Sequence, residues 1–235
     1  GSFMEAYYNI GSNTDTATIR LLEDSEVTAR IDDKKHTVVL DLNGKTLSID
    51  KNITTNAIWV ELKSDWTICS SEPGGEILDT RSEHNILLNS GKLTIKENVE
   101  MSTEGYNSVY GYSESGTAYI EGAVIDKIFI DAGAVNIASG DISQVECGSY
   151  GNLQISGGNI ATLKYLGQGD INAAFSTGYV AKSTTDDTVY TRSYMKSLKG
   201  VDGYYIMKNI TAVPCENHVN KAGYCDYCGT PTESA

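Results

Sequence analysis

A short glycine-led phrase recurs down the middle of this chain: GKLTIKENVEM from Gly91, GTAYIEGAVID from Gly116, GAVNIASGDIS from Gly133, GNLQISGGNIA from Gly151 and GDINAAFSTGY from Gly169. The starts lie 25, 17, 18 and 18 residues apart. Behind each glycine, small or β-branched apolar residues fall on alternate positions, the period of a strand and not of a helix. A unit this short cannot bury its own apolar side. Neighbouring units must therefore stack, and the repeat predicts a solenoid of β-coils.

Residues Ile128 to Gln144, IFIDAGAVNIASGDISQ, show how one coil is made. Ile128 and Ile130 point one way; Val135 and Ile137 do so after a turn at Asp131 to Gly133, and Ile142 after a corner at Ser139 and Gly140. Three short strands per turn, each paired with the strand one coil on at about 4.8 Å, give a parallel β-helix of triangular section. In register, Leu93, Ala118, Val135, Leu153 and Ile171 line one inward column, and Ile95, Ile120, Ile137, Ile155 and Ala173 the next. TVVLDLNGKTLSID from Thr37 and IWVELKSDWTICSS from Ile58 carry the same alternation with more drift. The expected fold class is an all-β, single-stranded parallel β-helix of about seven coils over residues 35–185. Open strand edges at the ends of such a stack invite aggregation and need covers. Residues 1–34, with TATIRLL and EVTARI as an opening strand pair, are expected to cap one end. Residues 186–213, read as a hairpin with one helical turn, cap the other, and 214–235 form a tail.

The net charge of −13 comes from acids scattered along the chain with no basic block. Its mean field repels phosphate backbones, so nucleic acid is not an expected partner. No run approaches the roughly 18 to 20 apolar residues of a membrane span, and direct membrane insertion is not expected. The opening GSF resembles a tag remnant, and the chain is read as a fragment of a longer protein, monomeric within it.

The opening TATIRLLEDSEVTARI, then VVLDLNGKTLSI, then degenerate glycine-led coils, resembles the right-handed, pectin-lyase-like β-helix modules of large surface proteins from Gram-positive (Firmicutes) bacteria. The similarity covers roughly Thr16 to Thr185 and is most specific over Leu40 to Ile49. It implies a right-handed helix and extracellular exposure at the cell surface. It also implies a place among other domains ahead of a wall anchor, with adhesion or binding of a glycan or host surface protein as the family's common role.

The tail PCENHVNKAGYCDYCGTPTE places Cys215 and His218, then Cys225 and Cys228, in a C-x2-H…C-x2-C pattern with Gly229 after the last thiol. Each spacing of two lets a pair of side chains converge on one ion, and the glycine permits the tight turn of a zinc knuckle. Three thiolates and an imidazole make a closed, structural site. A disulfide between two of the three tail cysteines is the competing reading. Similar tails accompany the β-helix regions of the surface proteins named above. Cys147 alternates with inward Val145 and is expected to be buried filler; Cys69 is expected at an outer side or corner. No base accompanies either thiol locally, and His36 and His84 stand alone in turns, expected to be solvated.

Polysaccharide-cleaving enzymes, or their accessory carbohydrate-binding domains, are the alternative, because many share this solenoid. Of their hydrolase pattern of NTD, DD, GHG and RIK, this chain has an NTD at Asn13 to Asp15, in the cap, and has no GHG and no RIK. Their lyases need an arginine or lysine base beside a calcium cluster, whereas the arginines stand at 20, 30, 81 and 192, outside the central coils. A non-catalytic module is therefore preferred to an enzyme. Asp126, Asp131, Asp141 and Asp170 fall at turns, where a carboxylate ordinarily caps its own backbone, and a calcium site spread over such acids is kept as a second cofactor. A ligand would be met on the outward column aligned as Leu87, Tyr110, Phe129, Glu146 and Lys164, with Tyr112 nearby. Exposed rings on a flat β-face suit sugars; mutual stacking of Tyr110 and Phe129 is the plainer reading. Trp66 shares the register of inward Leu93 and is expected to be buried.

Overall fold

The computed structural model describes residues 1–11, 16–167, 169–216, 220–221 and 223–231. Its first coil is β1 (Thr16–Arg20), β2 (Ser25–Val27) and β3 (Ile31–Asp33). The second is β4 (Thr37–Asp41), β5 (Thr46–Ile49) and β6 (Ile58–Val60). The third is β7 (Asp65–Cys69), β8 (Gly75–Asp79) and β9 (Leu87–Asn89), and the fourth β10 (Lys92–Lys96), β11 (Val99–Thr103) and β12 (Val109–Gly111). From there β13 (Thr117–Ile155) runs on without a break, pairing in parallel with β10, β11 and β12 in turn. Three parallel ladders result: β1-β4-β7-β10-β13, β2-β5-β8-β11-β13 and β3-β6-β9-β12-β13. This is the expected parallel β-solenoid, with about five turns in place of seven. The phrase at Gly169, taken as a coil in the higher count, begins with a 3-10 turn over Ile171–Ala174 in place of a strand.

The inward columns explain the stacking. On the first ladder Val38, Trp66, Leu93 and Ala118 stand in register, as do Ile19, Leu40, Ile68, Ile95 and Ile120. All of these side chains are buried, Trp66 completely, as its register predicts. Burying each such Ile, Leu or Val is worth roughly 1.5 to 3 kcal/mol against exposure. Corners need backbone that a side chain would obstruct. Gly140 has φ +117°, and a Cβ there would lie 2.3 Å from the carbonyl oxygen of Ala123 on the coil before.

One corner is held by polar groups. Asn85 Nδ2 donates to Asn56 Oδ1 (2.9 Å) and Asn107 Nδ2 to Asn85 Oδ1 (2.8 Å), an amide ladder across three coils. Beside it the Arg81 guanidinium forks onto the Asp79 carboxylate, with Nε to Oδ1 at 2.8 Å and Nη2 to Oδ2 at 2.7 Å. Its remaining donors reach the carbonyls of Ile53, Thr55 and Asn85.

The first end differs from expectation. TATIRLL and EVTARI do not pair with each other as a hairpin: β1 pairs in parallel with β4 and β2 with β5, so both belong to the first coil. Its cover is the helix α1 (Phe3–Tyr8), begun by a capping box in which Ser2 and Glu5 bond reciprocally. Phe3 and Met4 are buried against the coil. Tyr7 donates to Asp33 Oδ1 (3.3 Å), and Trp66 Nε1 donates to Asp33 Oδ2 (2.7 Å). His36 is not solvated: its Nδ1 lies 2.5 Å from Asp33 Oδ1, because a fully buried carboxylate gathers every donor in reach. Burial, with the Asp33 carboxylate beside it, raises the Tyr7 phenol above its ordinary range.

At the other end β14 (Asn159–Tyr165) continues the stack in parallel with β13. The Gly169 phrase then departs from the expected columns. Asp170 accepts the Asn172 N–H and starts a 3-10 turn, Ile171–Ala174, so Phe175 rather than Ala173 stands opposite Ile155. β15 (Tyr179–Ser183) follows, then the helix α2 (Arg192–Ser197), the helical turn foreseen for this segment. β16 (Tyr205–Pro214) closes the end, antiparallel to both β14 and β15, so its partner strands lie outside the 186–213 segment expected to form a hairpin by itself.

Candidate metal centre and outward face

Cys215 follows directly on β16, with its N–H bonded to the Gly178 carbonyl (2.8 Å). Cys225 ends a small antiparallel hairpin, β17 (Asn220–Lys221) and β18 (Tyr224–Cys225), and Cys228 comes one turn later. The turn is closed by Gly229 N–H to Cys225 O and Cys225 N–H to Thr230 O, both 2.9 Å, with Gly229 at φ +70°. The sulfurs of Cys215, Cys225 and Cys228 lie within 4.8 Å of one another, those of Cys215 and Cys225 at 3.7 Å. No disulfide links them. Cys225 and Cys228 are buried with Val180, and Val213 and Tyr227 pack against this small cluster. His218, the fourth expected ligand, lies outside the described residues.

The chemistry of this donor set fits a metal ion. Burial first, then the neighbouring Cys228 and Cys225 sulfurs, push the Cys215 thiol up to about 12. A negative charge on one sulfur is opposed by the other two, and a bound dication would reverse that balance. Three close cysteines could thus hold a metal ion, with Thr230 Oγ1 3.1 Å from Cys228 Sγ as a further polar neighbour. The turn is tied to α2: Arg192 N–H donates to Asp226 O (2.9 Å) and Arg192 Nη1 to Cys228 O (3.2 Å). Sequence reasoning missed this arginine, which stands 36 residues from its acceptor.

The remaining thiols lie where alternation puts them. Cys147 is fully buried, and burial pushes its thiol up to about 12, which suits inert filler. Cys69 is half-buried on the outer side of β7.

On the third face, Tyr110 and Phe129 are register partners, as are Glu146 and Lys164. The register earlier in the column is corrected. Leu88, not Leu87, stands beside Tyr110, while Leu87 pairs with Val109 and points fully inward. Trp59 stands beside Leu88 and joins the same outward row. Tyr110 and Phe129 stack with centroids 5.4 Å apart and planes at 16°, so each offers a face to the other. Tyr112 sets its ring edge-on between Tyr110 (5.9 Å) and Trp59 (6.2 Å) and is 50% exposed. Arg30 covers Trp59 at 5.3 Å. Glu146 and Lys164 form an ion pair at 3.6 Å. Burial, with Asp131 accepting its hydroxyl at 3.3 Å, raises the Tyr110 phenol.

Asp126, Asp131 and Asp141 lie within β13 rather than at turns, and each accepts from a group on another strand. Asp126 accepts the Thr103 N–H (2.9 Å), Asp131 the Tyr110 hydroxyl, and Asp141 the Asn159 amide (2.7 Å). Asp170 accepts Asn172 N–H and Nδ2 and pairs with Lys196 at 3.0 Å.

Fold and site together define a parallel β-solenoid protein with a thiol cluster at its C-terminal end. Comparison with protein-family models, with curated proteins and with solved structures finds no match.

Proposed function

We propose that the chain is a non-catalytic, extracellular module of a larger bacterial surface protein, in which a stiff β-solenoid spaces or presents neighbouring parts. Its C-terminal end is locked by one structural zinc ion held by Cys215, Cys225, Cys228 and His218. The observation that carries this reading is the convergence of three thiols from two segments, the end of β16 and the turn that follows β18, onto the cover of the last coil. Zinc bound by four protein ligands keeps no position for water and supplies cross-linking rather than catalysis. The resemblance of the LDLNGKTLSI phrase and the tail to Gram-positive surface modules supports the extracellular setting.

A glycan-binding role for the same module is favoured by Tyr112, half exposed within a row of aromatic side chains. Most ring faces in that row are already covered by Phe129, Tyr110 or Arg30, so the spacer reading comes first.

Elemental analysis of the purified protein should give about one zinc per chain, and Cys225→Ser should lose it. A zinc-free preparation lacking free thiols would favour the disulfide instead. On a glycan array, binding that disappears in Tyr112→Ala would establish the second role. Release of reducing or unsaturated sugars from any polysaccharide would overturn the non-catalytic assignment.

A further inference from the structure

We infer that Arg192 is a positioning residue of the metal knuckle, through which metal occupancy governs the order of the C-terminal cap helix. The inference rests on the zinc reading above and extends it to a residue outside the ligand pattern. Between Cys225 and Gly229, Arg192 grips two carbonyls: its N–H holds Asp226 O (2.9 Å) and its Nη1 holds Cys228 O (3.2 Å). The guanidinium lies so close over Gly229 that a Cβ at that position would meet Nη1 at 1.8 Å. Glycine is thus required twice here, for φ +70° and for the arginine's approach. Ser193 adds a bond from its hydroxyl to Asp226 Oδ1 (3.4 Å).

The same helix is anchored on its other side to the last coil. Lys196 pairs with Asp170, Asn172 Nδ2 donates to Arg192 O (3.5 Å), and Met195 is buried in the main core. Helix α2 therefore bridges the knuckle and the solenoid. Three thiolates around a dication would carry one net negative charge, and a guanidinium beside them would offset it. A residue that fixes a ligand turn from outside typically changes metal affinity by about 10- to 100-fold. A turn released from its metal has less to hold Arg192, and α2 loses one of its two anchors.

Two measurements test this. In the first, zinc affinity is measured by competition with a chromophoric chelator: Arg192→Ala should bind about 10- to 100-fold more weakly, and Arg192→Lys should recover part of the loss. Loaded with cobalt(II), wild type and Arg192→Lys should share the thiolate-to-metal absorption bands, and Arg192→Ala should shift them. In the second, amide exchange of wild type is followed before and after metal removal, and residues 192–197 should lose protection together with 225–229. If wild type binds zinc while Arg192→Ala matches it in affinity and spectrum, or α2 protection ignores the metal, the inference is wrong and the zinc reading stands. If wild type binds no zinc, both fall. Should Arg192→Ala fail to fold, Gly229→Ala displaces the guanidinium from the other side, and unchanged affinity there refutes the coupling equally.

Discussion

Replacing Arg81 by methionine should be among the most damaging single changes in the solenoid, and the size of the loss follows from its surroundings. Arg81 is 6% exposed and its partner Asp79 is fully buried, so neither charge has water to fall back on. The guanidinium satisfies both carboxylate oxygens and three backbone carbonyls, of Ile53, Thr55 and Asn85, on two coils. With methionine in its place the Asp79 carboxylate keeps the Arg81 N–H (3.0 Å) but loses its counter-charge. Breaking a buried pair from one side costs about 3 to 5 kcal/mol. For a chain of this size each kcal/mol moves the midpoint by about 2 to 4 °C, so the melting temperature should fall by about 6 to 20 °C. Removing the stranded charge as well, in Asp79→Asn with Arg81→Met, should recover part of the loss, since the penalty lies largely in the unpaired carboxylate. Urea and thermal unfolding at neutral pH, followed by circular dichroism for the four members of the cycle, would check this. A single-mutant loss under about 1 kcal/mol, or a double mutant no better than Arg81→Met, would refute the reasoning.

Truncating Ile95→Ala, fully buried between Ile68 and Ile120, should cost about 2 to 5 kcal/mol in urea unfolding, whereas Lys96→Ala, one position along and exposed, should stay within about 0.5 kcal/mol. Asp170 should make the C-terminal cap acid-sensitive. Burial alone would raise its carboxyl, but bonds from the Asn172 side chain, from Lys196 and from the Asn172 N–H outweigh it and hold the pKa below the usual range. A depressed folded-state pKa contributes stability above the unfolded value of about 3.9 and loses it as pH falls through the folded one. Amide protection in residues 171–174 and 192–197, taken against the intrinsic exchange rate at each pH, should therefore fall below about pH 4, and Asp170→Asn should remove that pH dependence.

The solenoid was legible because its stabilising pattern is local and repeated. Alternation around Ile95, Ile120 and Ile137 admits one buried side, and Trp66 and Cys147 follow from the same parity. Where parity was ambiguous the reading slipped. Leu87 and Leu88 are identical, so sequence offered no means of choosing which faces Tyr110; the pairing of Val109 with Leu87 decides it. At the first end, two short apolar strands look the same whether they pair with each other or each with a strand of the next coil. Burial of Ile19 and Val27 under α1 and against the second coil favours the latter. The Gly169 phrase failed for a different reason: Asp170 bonds its own Asn172 N–H, and that local competitor displaces the ladder.

The tail follows the same division between local and distant constraints. Cys225 and Cys228 have two residues between them, so their convergence is written in the spacing, and Gly229 announces the turn. What holds the turn against the solenoid is written nowhere near it. Arg192 belongs to a different segment, and only folding brings its backbone N–H to Asp226 O and its guanidinium to Cys228 O. A ligand pattern thus identifies which side chains can take an ion, while the residue that ties that ion to the rest of the molecule becomes visible once the cap helix is in place. If zinc is bound and the coupling through Arg192 holds, the ion stabilises the end of the β-solenoid as well as the short hairpin beside it.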